Sequence, residues 1–222
     1  DKAEMASYDA LLKLFQRRRS IREFKDKPVE QELIDKIIAA ASTAPMGLPP
    51  SDVNILVINS KEKAFQFSKD YCEYLVNLKW MVSPIGLFLM RIFYGKANGE
   101  MFRDFIKPLI DTYIGYMKKG ENLVTYEAPL ALYFYGSPYT DPADPLIAVT
   151  YAMIAAESLG LGTCMIGGVH PFIQSGRAAK KFREKWGIRF KSKEGLIVII
   201  GYPRVKYHQG IKRTFANVDV LN

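Results

Sequence analysis

The chain has 222 residues, 49% of them hydrophobic and 24% charged. That composition excludes a disordered tail, a collagen and a disulfide-built mini-domain, and the length suits one domain with a core of its own. Thirty-one Lys and Arg against 23 Asp and Glu leave a net +8, which points to an anionic partner (nucleic acid, an acidic membrane or a phosphorylated cofactor) or simply to solubility.

The two cysteines, Cys72 and Cys164, build no disulfide framework and suit a reducing compartment, so a cytoplasmic location is expected. Even with both histidines they make neither a four-thiolate cluster nor a closed zinc site, and no metal is expected. The opening DKAEMASYDA is polar and acidic and reads as no secretory leader. A first residue of Asp rather than Met is what a trimmed chain or a piece of a longer one would show.

Residues 7–18 read as a helix with Ser7 as cap and Leu11, Leu14 and Phe15 on one side. Residues 30–43 read as a second helix. Leu33, Ile34, Ile37, Ile38 and Ala41 recur at helical spacing, Glu30 and Glu32 stand in the first turn, and Pro45 follows the end. VNILVI at 53–58 is a strand, and residues 61–79 a helix. Residues 80–126 are rich in aromatics and Met and broken by Gly95, Gly99, Gly115 and Gly120. Their most apolar run, WMVSPIGLFLM at 80–90, is too short to cross a membrane and is interrupted by Pro84 and Gly86. LALYFY at 130–135 is a second strand. Asp144 as cap and Pro145 in the first turn open a long helix that Gly160 closes. CMIGGV at 164–169 is a third strand, 171–187 a helix ending in basic residues, and LIVIIGY at 196–202 a fourth strand. Strands without period-two alternation suggest a sheet covered on both faces. The expected fold is α+β, a mixed or antiparallel central sheet flanked by helices, in a single domain over residues 1–222 with an atypical helical insertion or lid at about 70–127.

Four segments could carry chemistry. Arg17, Arg18, Arg19 and Arg22, with Ser20 among them, offer guanidinium forks that match phosphate oxygens, or else form a basic helix end. The proline-rich loop at 43–51, with Pro45, Met46 and Gly47, is a helix stop, or a stiff loop that lets a flat ligand approach. GLGTCMIGG at 160–168 exposes backbone N–H groups. It follows a helix rather than a strand, so it is no dinucleotide fingerprint, and it lacks the P-loop ending. The tail at 206–214, with Lys212 and Arg213, is a second basic cluster or a solvated end. Cys164 in its apolar setting reads as a buried thiol rather than a nucleophile. No nucleic-acid motif accompanies the basic segments, and the aromatics lie within apolar runs.

Taken together and in this order, RRSIREF at 18–24, TAPMGLPPS at 43–51, ESLGLGTCMIGG at 157–168 and IGYPRVK with KRTF at the end give a chain that resembles the nitroreductase family of FMN oxidoreductases. The resemblance implies FMN, with NAD(P)H or a ferredoxin-type protein as donor and a small, flat acceptor of the nitroaromatic or quinone kind. It places Arg18, Arg19 and Ser20 on the FMN phosphate and ribityl chain, and Arg22 near the N1–C2=O edge, where a cation raises the flavin potential. It puts Pro45, Met46 and Gly47 in the loop at the ring, and Met165, Ile166, Gly167 and Gly168 against the ring with a backbone N–H toward N5. Lys212 and Arg213 close on the phosphate. Arg22 and Gly167 are then the tuners of the flavin. Where the family loop often carries Ser, Asn and Gln, this chain has Met46, Pro49 and Ser51, so acceptor preference is expected to differ. The chain also resembles a subgroup in which a ferredoxin-like iron–sulfur domain precedes the flavin domain. A homodimer with flavin sites at a two-fold interface is implied as well, and neither nucleic acid nor membrane is an expected partner. The competing readings are a flavin-binding module without turnover of its own, for storage, sensing or electron relay, and a nucleic-acid-binding protein using the +8 charge.

Overall fold

The strands look featureless in the sequence because nearly every residue is apolar, yet each alternates strictly between two cores. In β2 (Leu130–Gly136) the side chains of Ala131, Tyr133 and Tyr135 enter one core, and those of Leu130, Leu132 and Phe134 the other. In β4 (Gly195–Gly201) Ile197 and Ile199 part from Val198 and Ile200 in the same way. A strand buried on both faces has no polar positions with which to show its period. The computed structural model describes residues 6–47 and 52–221.

The sheet has four strands in the order β1-β2-β4-β3, with β1 over Val53–Ile58 and β3 over Gly162–Ile166. The expected mixed or antiparallel sheet is antiparallel at every pairing of these strands: Val53 faces Gly136, Leu130 faces Ile200, and Gly162 faces Gly201. A single parallel bridge, Ser20 to Thr163, adds to its β3 edge.

One face is covered by α2 (Gln31–Ser42) and α7 (Asp144–Ser158), which pack on each other and bury Ile34, Ile37, Val149, Ala152 and Ala156. The other face carries α3 (Lys61–Val76), the helical stretch that follows it, and α8 (Arg177–Lys185), around fully buried Phe67, Tyr71 and Leu75. Burying each such side chain contributes about 1.5–3 kcal/mol. α1 (Tyr8–Arg17) is capped by Ser7, whose Oγ accepts from the Ala10 N–H, and it buries no residue at all.

Three boundaries differ from the sequence expectation. Asp144 is not the cap of α7 but its first residue. Asp141 turns the chain one step earlier by accepting from the Ala143 N–H at 2.8 Å, which frees the Asp144 carboxylate for the Gly47 N–H at 2.9 Å. The helix expected at 171–187 is split into a turn of 3₁₀ helix over His170–Ile173 and α8, because Gly176 at φ +93° breaks the run. The third strand starts and ends earlier than expected, leaving Gly167 and Gly168 beyond it. At the start of α2, Glu30 occupies the cap position without a side-chain cap bond; Lys27 at 2.8 Å and the Tyr202 hydroxyl hold its carboxyl down to about 2.

Residues 77–118 are helical nearly throughout: a 3₁₀ turn at Lys79–Val82, α4 (Pro84–Tyr94), α5 (Lys96–Met101), a π turn at Phe102–Ile106 and α6 (Lys107–Lys118). Pro84 starts α4 and Gly95, at φ +87°, ends it, so the segment is not one rigid helix. Gly86 is the only buried residue of α4. Ile85, Phe88, Ile92 and Phe93 stand in solvent, and Trp80 before them is 63% exposed.

Behind the β2–β4 pair, His170 is buried with its Nδ1 2.8 Å from the Tyr133 hydroxyl and its Nε2 3.3 Å from the Lys193 carbonyl. A carbonyl only accepts, so Nε2 carries the proton and Nδ1 accepts from Tyr133. Burial pushes the imidazole below its ordinary 6.5. The unfolded chain then binds a proton that the folded one refuses, so this contribution to stability is complete above the unfolded value and is lost as pH falls through the folded one. Between about pH 7 and about pH 5 the urea midpoint should drop, with a slope of at most about 1.4 kcal/mol per pH unit from this group. In His170→Gln the drop should be shallower; equal slopes in the two proteins would show that His170 does not titrate against folding.

Candidate functional site

The arginine-bearing segment after α1 leaves the helix at Arg18 in an extended conformation and runs beside β3. The Ile21 N–H donates to the Thr163 carbonyl at 2.8 Å, and further on the Lys25 N–H donates to Tyr202 O at 2.8 Å. Nothing larger than glycine fits at Gly162, where a Cβ would stand 2.8 Å from Ile21 Cγ1. The Thr163 hydroxyl donates to Glu157 at 2.5 Å, tying the start of β3 to the last turn of α7. Burial raises the Glu157 carboxyl, and the nearby charge of Arg18 opposes that rise.

The tail returns to the same place. The Ile211 N–H donates to Gln16 O at 2.9 Å, and Arg19 Nη2 donates to Gln209 O at 2.6 Å across 190 residues of chain. The Arg19 guanidinium lies 5.5 Å from the Tyr207 ring centre, and its buried Nε has no hydrogen-bond partner. Arg18, Lys212 and Arg213 together line one open cleft of about 510 Å³, with Leu12, Phe15 and Ile211 as its apolar side. Three cations in one cleft can receive a multiply charged anion such as a phosphate monoester.

Arg22 points elsewhere. It lies over the Tyr126 ring at 5.5 Å and lines a second cavity of about 480 Å³ with Lys61, Glu127 and Arg204. Tyr126 and Glu127 hold left-handed backbone, φ +51° and +53°, a strain of about 1–3 kcal/mol per residue for side chains of this kind. Glu127 is tied to Lys61 at 3.2 Å. From Arg18 to Arg22 an extended chain covers about 13 Å, so one strand presents cations to two neighbouring places.

Gly167 is exposed, and a Cβ there would meet nothing within 4 Å, which leaves its backbone open to a ligand. Gly168 sits under the Tyr113 hydroxyl, and its carbonyl accepts from Tyr71 Oη at 2.6 Å. Burial pushes the Tyr113 hydroxyl up to about 12. Met165 is half-buried toward the α2–α7 side, while Ile166 turns its side chain into the opposite core and leaves only backbone to a ligand. Cys164 is a buried, free thiol. Ser20 meets β3 through backbone, with its residue exposed.

The loop with Pro45, Met46 and Gly47 does not join this constellation within one chain. Met46 packs on the α2–α7 core, and Gly47 is tied to Asp144 at the first residue of α7. Glu157 stands in the last turn of that 15-residue helix, about 20 Å from Asp144 at the regular rise. Pro49 and Ser51 lie outside the described residues. Tyr71, Tyr113, Tyr126 and Glu157 were not assigned roles from sequence; only Glu157, the first residue of ESLGLGTCMIGG, stood inside a motif. Among the described residues no group of three or more His, Cys, Asp or Glu could hold a metal ion, and no helix is long and apolar enough to cross a membrane.

The family model described as Nitroreductase matches residues 15–202, a span that contains the arginine segment, β3 and the two glycines beyond it. The chain belongs to the nitroreductase family. Over 153 residues it is 31% identical to FMN reductase (NAD(P)H) of Bacillus subtilis strain 168. That match takes in 68% of this chain but only 51% of the relative, so the chain spans about half the length of the curated relative it matches. A nitroreductase with bound FMN from Bacteroides fragilis NCTC 9343 shares the fold at TM-score 0.66 and 16% identity, over 96% of this chain and 98% of that one. Another with bound FMN, from Desulfitobacterium hafniense DCB-2, does so at TM-score 0.64 and 22% identity, over 97% and 100%.

At Gly162 the arginine segment and β3 of this nitroreductase-family chain are in close contact. Gly162→Ala forces Ile21 away from β3 and should lower unfolding stability by about 1–3 kcal/mol, read from urea denaturation. Gly167→Ala, with open space at its Cβ, should leave stability within about 0.5 kcal/mol of wild type.

Proposed function

We propose that this chain is an FMN-dependent oxidoreductase, taking electrons from NAD(P)H or a carrier protein and passing them to a small, flat organic acceptor of the nitroaromatic or quinone kind. The observation that carries this reading is the meeting of Arg18, Lys212 and Arg213 in one cleft, beside a buried Arg19 Nε without a partner. The likeness to an FMN reductase (NAD(P)H) and the FMN named with two structural neighbours support the cofactor and the donor.

When bound, FMN supplies hydride acceptance at N5 and its onward transfer. The chain's own residues grip and tune it. Arg18, Lys212 and Arg213 neutralise the phosphate, and Arg19 completes the grip with the donor that has no partner in the protein. Ser20 lies along the same strand for the ribityl chain. Arg22, held over Tyr126, puts a cation at the N1–C2=O end, which favours the anionic reduced ring. The Gly167 backbone, bare of side chain, would let the ring approach and offer its N–H as a donor to it, with Met165, Ile166 and Gly168 as the adjoining wall.

The site is completed by a second copy in this reading. A two-fold partner brings its Pro45–Met46–Gly47 loop to the cleft that one chain leaves without it. It also covers the exposed stripe of Tyr8, Leu11 and Phe15 on α1, a helix that buries nothing within its own chain. The open face of Trp80 and Phe88 walls the acceptor pocket in the same assembly. The two free, buried cysteines suit a reducing, cytoplasmic setting.

The purified protein should take up one non-covalent FMN per chain. Arg19→Ala should weaken that binding by roughly tenfold to more than a hundredfold, the loss of a charge-assisted bond of about 1.5–3 kcal/mol, while Cys164→Ala stays near wild type. Equal FMN affinity in Arg19→Ala and wild type would sink the phosphate grip, and bound FMN that no donor reduces would favour a flavin-binding module without turnover. Light scattering should report a dimer, and a stable monomer with FMN bound would refute the shared site.

A further inference from the structure

One concentration of positive charge lies outside the flavin grip. Residues 177–194 hold eight Lys and Arg against two Glu, a net +6 within 18 residues. They lie on α8 and on the loop that leads into β4. Lys185 is tied to Asp70 at 2.6 Å and Lys180 to Glu184 at 3.7 Å. Among the described residues Arg177, Lys181, Arg189, Lys191 and Lys193 form no ion pair, and all five are exposed.

Beneath this face, buried rings lead inward. Trp186, at the end of α8, stacks edge-on with Phe67 at 5.0 Å between centres; Phe67 meets Phe182 at 5.4 Å, and Phe182 meets Tyr71 at 6.1 Å. The Tyr71 hydroxyl ends the series on the Gly168 carbonyl. A continuous run of aromatic contacts thus joins the basic face to the glycine pair of the candidate site.

We propose that the face of α8 and the following loop docks an acidic one-electron carrier protein, the donor to the site at Gly167 and Gly168. The proposal rests on the flavin reading above for what the electrons reach, and on charge and geometry for where the carrier sits. A face with five unpaired cations attracts an acidic protein and speeds its encounter. Nucleic acid fits less well, because Phe182 is buried and Trp186 packs inward on Phe67, which leaves Phe190 as the one exposed ring of 177–194 for stacking on bases. A lipid surface fits less well still, since Phe190 is the only large apolar residue of 177–194 that is exposed. The electrons balance as follows: two reduced carriers are each oxidised by one electron, and with one proton from water they supply the equivalent of the hydride that a nicotinamide delivers as a pair.

The test uses an acidic [2Fe–2S] ferredoxin as probe, titrated calorimetrically against the FMN-loaded protein and against the protein without added FMN. Binding to wild type should weaken by at least roughly tenfold between about 20 mM and about 300 mM salt. The variant Lys181→Glu/Lys191→Glu/Lys193→Glu, altered only on the surface, should lose at least roughly tenfold at low salt. In stopped flow, reduced ferredoxin should bleach the flavin of wild type faster than that of the variant, while dithionite bleaches both equally. Ferredoxin affinity that is the same in both proteins, or absent in wild type, overturns the proposal; so does a DNA duplex that binds more tightly than ferredoxin and is lost in the same variant. FMN uptake by a chain that ignores ferredoxin refutes the docking face alone. Ferredoxin held by a chain that takes up no FMN refutes the flavin reading and leaves the acidic-protein face standing.

Discussion

A single backbone hydrogen bond, from the Ile21 N–H to the Thr163 carbonyl, determines where this protein's chemistry can be. It lays the arginine segment alongside β3 in parallel, so that Arg18 and Arg22 are carried on an extended run beside the strand that leads to Gly167 and Gly168. Its own strength is modest, about 1 kcal/mol net. Its effect comes from register, because a slip of one residue would turn every arginine to the other side. Two further contacts lock that register. Ile21 fits against β3 only because Gly162 has no Cβ, and the Thr163 hydroxyl is engaged by Glu157 from α7. The sheet is therefore the rigid element, and the cations are fastened to it rather than to a free loop.

Much of this was legible beforehand, and the reason differs from element to element. Three of the four strands were placed within one residue because runs such as LALYFY and LIVIIGY are too apolar and too short to be anything else, while the third was expected two residues late at its start and three at its end. The helices were placed from their spacing and their end signals, Pro145 at the start of α7 and Gly160 past its end above all. The order of the sheet was not readable, since β1 to β2 is joined by some 70 residues of helix rather than by a hairpin, and nothing local marks such a pairing. The splitting of 171–187 was missed because a glycine inside an apolar-periodic run is tolerated as often as it is a break, and only its positive φ decides.

The site was legible in its charges and not in its rings. Arg18, Arg19, Lys212 and Arg213 announce themselves in clusters, and tertiary structure merely brings the clusters together. Tyr71, Tyr113 and Tyr126 are single residues in unremarkable surroundings. Their importance comes from what lies opposite: a glycine carbonyl for Tyr71, the missing Cβ of Gly168 for Tyr113, and a guanidinium for Tyr126. None of these partners is near in sequence, so no window along the chain could have found them. The loop at 45–47 failed in the opposite way. Its motif is readable, but α7 holds it one helix length from the cations, and the proposed second chain is what would reunite them.

The placement of charge completes the argument. Basic residues near the cleft are held by backbone and tail, and one of them leaves a buried donor without a partner. A buried N–H of that kind costs free energy while it has no partner. The cations of 177–194 bear no such cost, since they are exposed and hydrated. Their expense is mutual repulsion, spread over a face that the fold could have neutralised with the carboxylates it uses elsewhere, as it does between Lys79, Lys107 and Asp111. Two populations of positive charge thus differ in placement: one converges on a cleft where a small anion meets it at short range, and the other is spread over an open face and acts at the range of the Debye length. A small cofactor is bound by the first kind and a diffusing macromolecule is drawn by the second, which is why the two need not, and do not, share a surface.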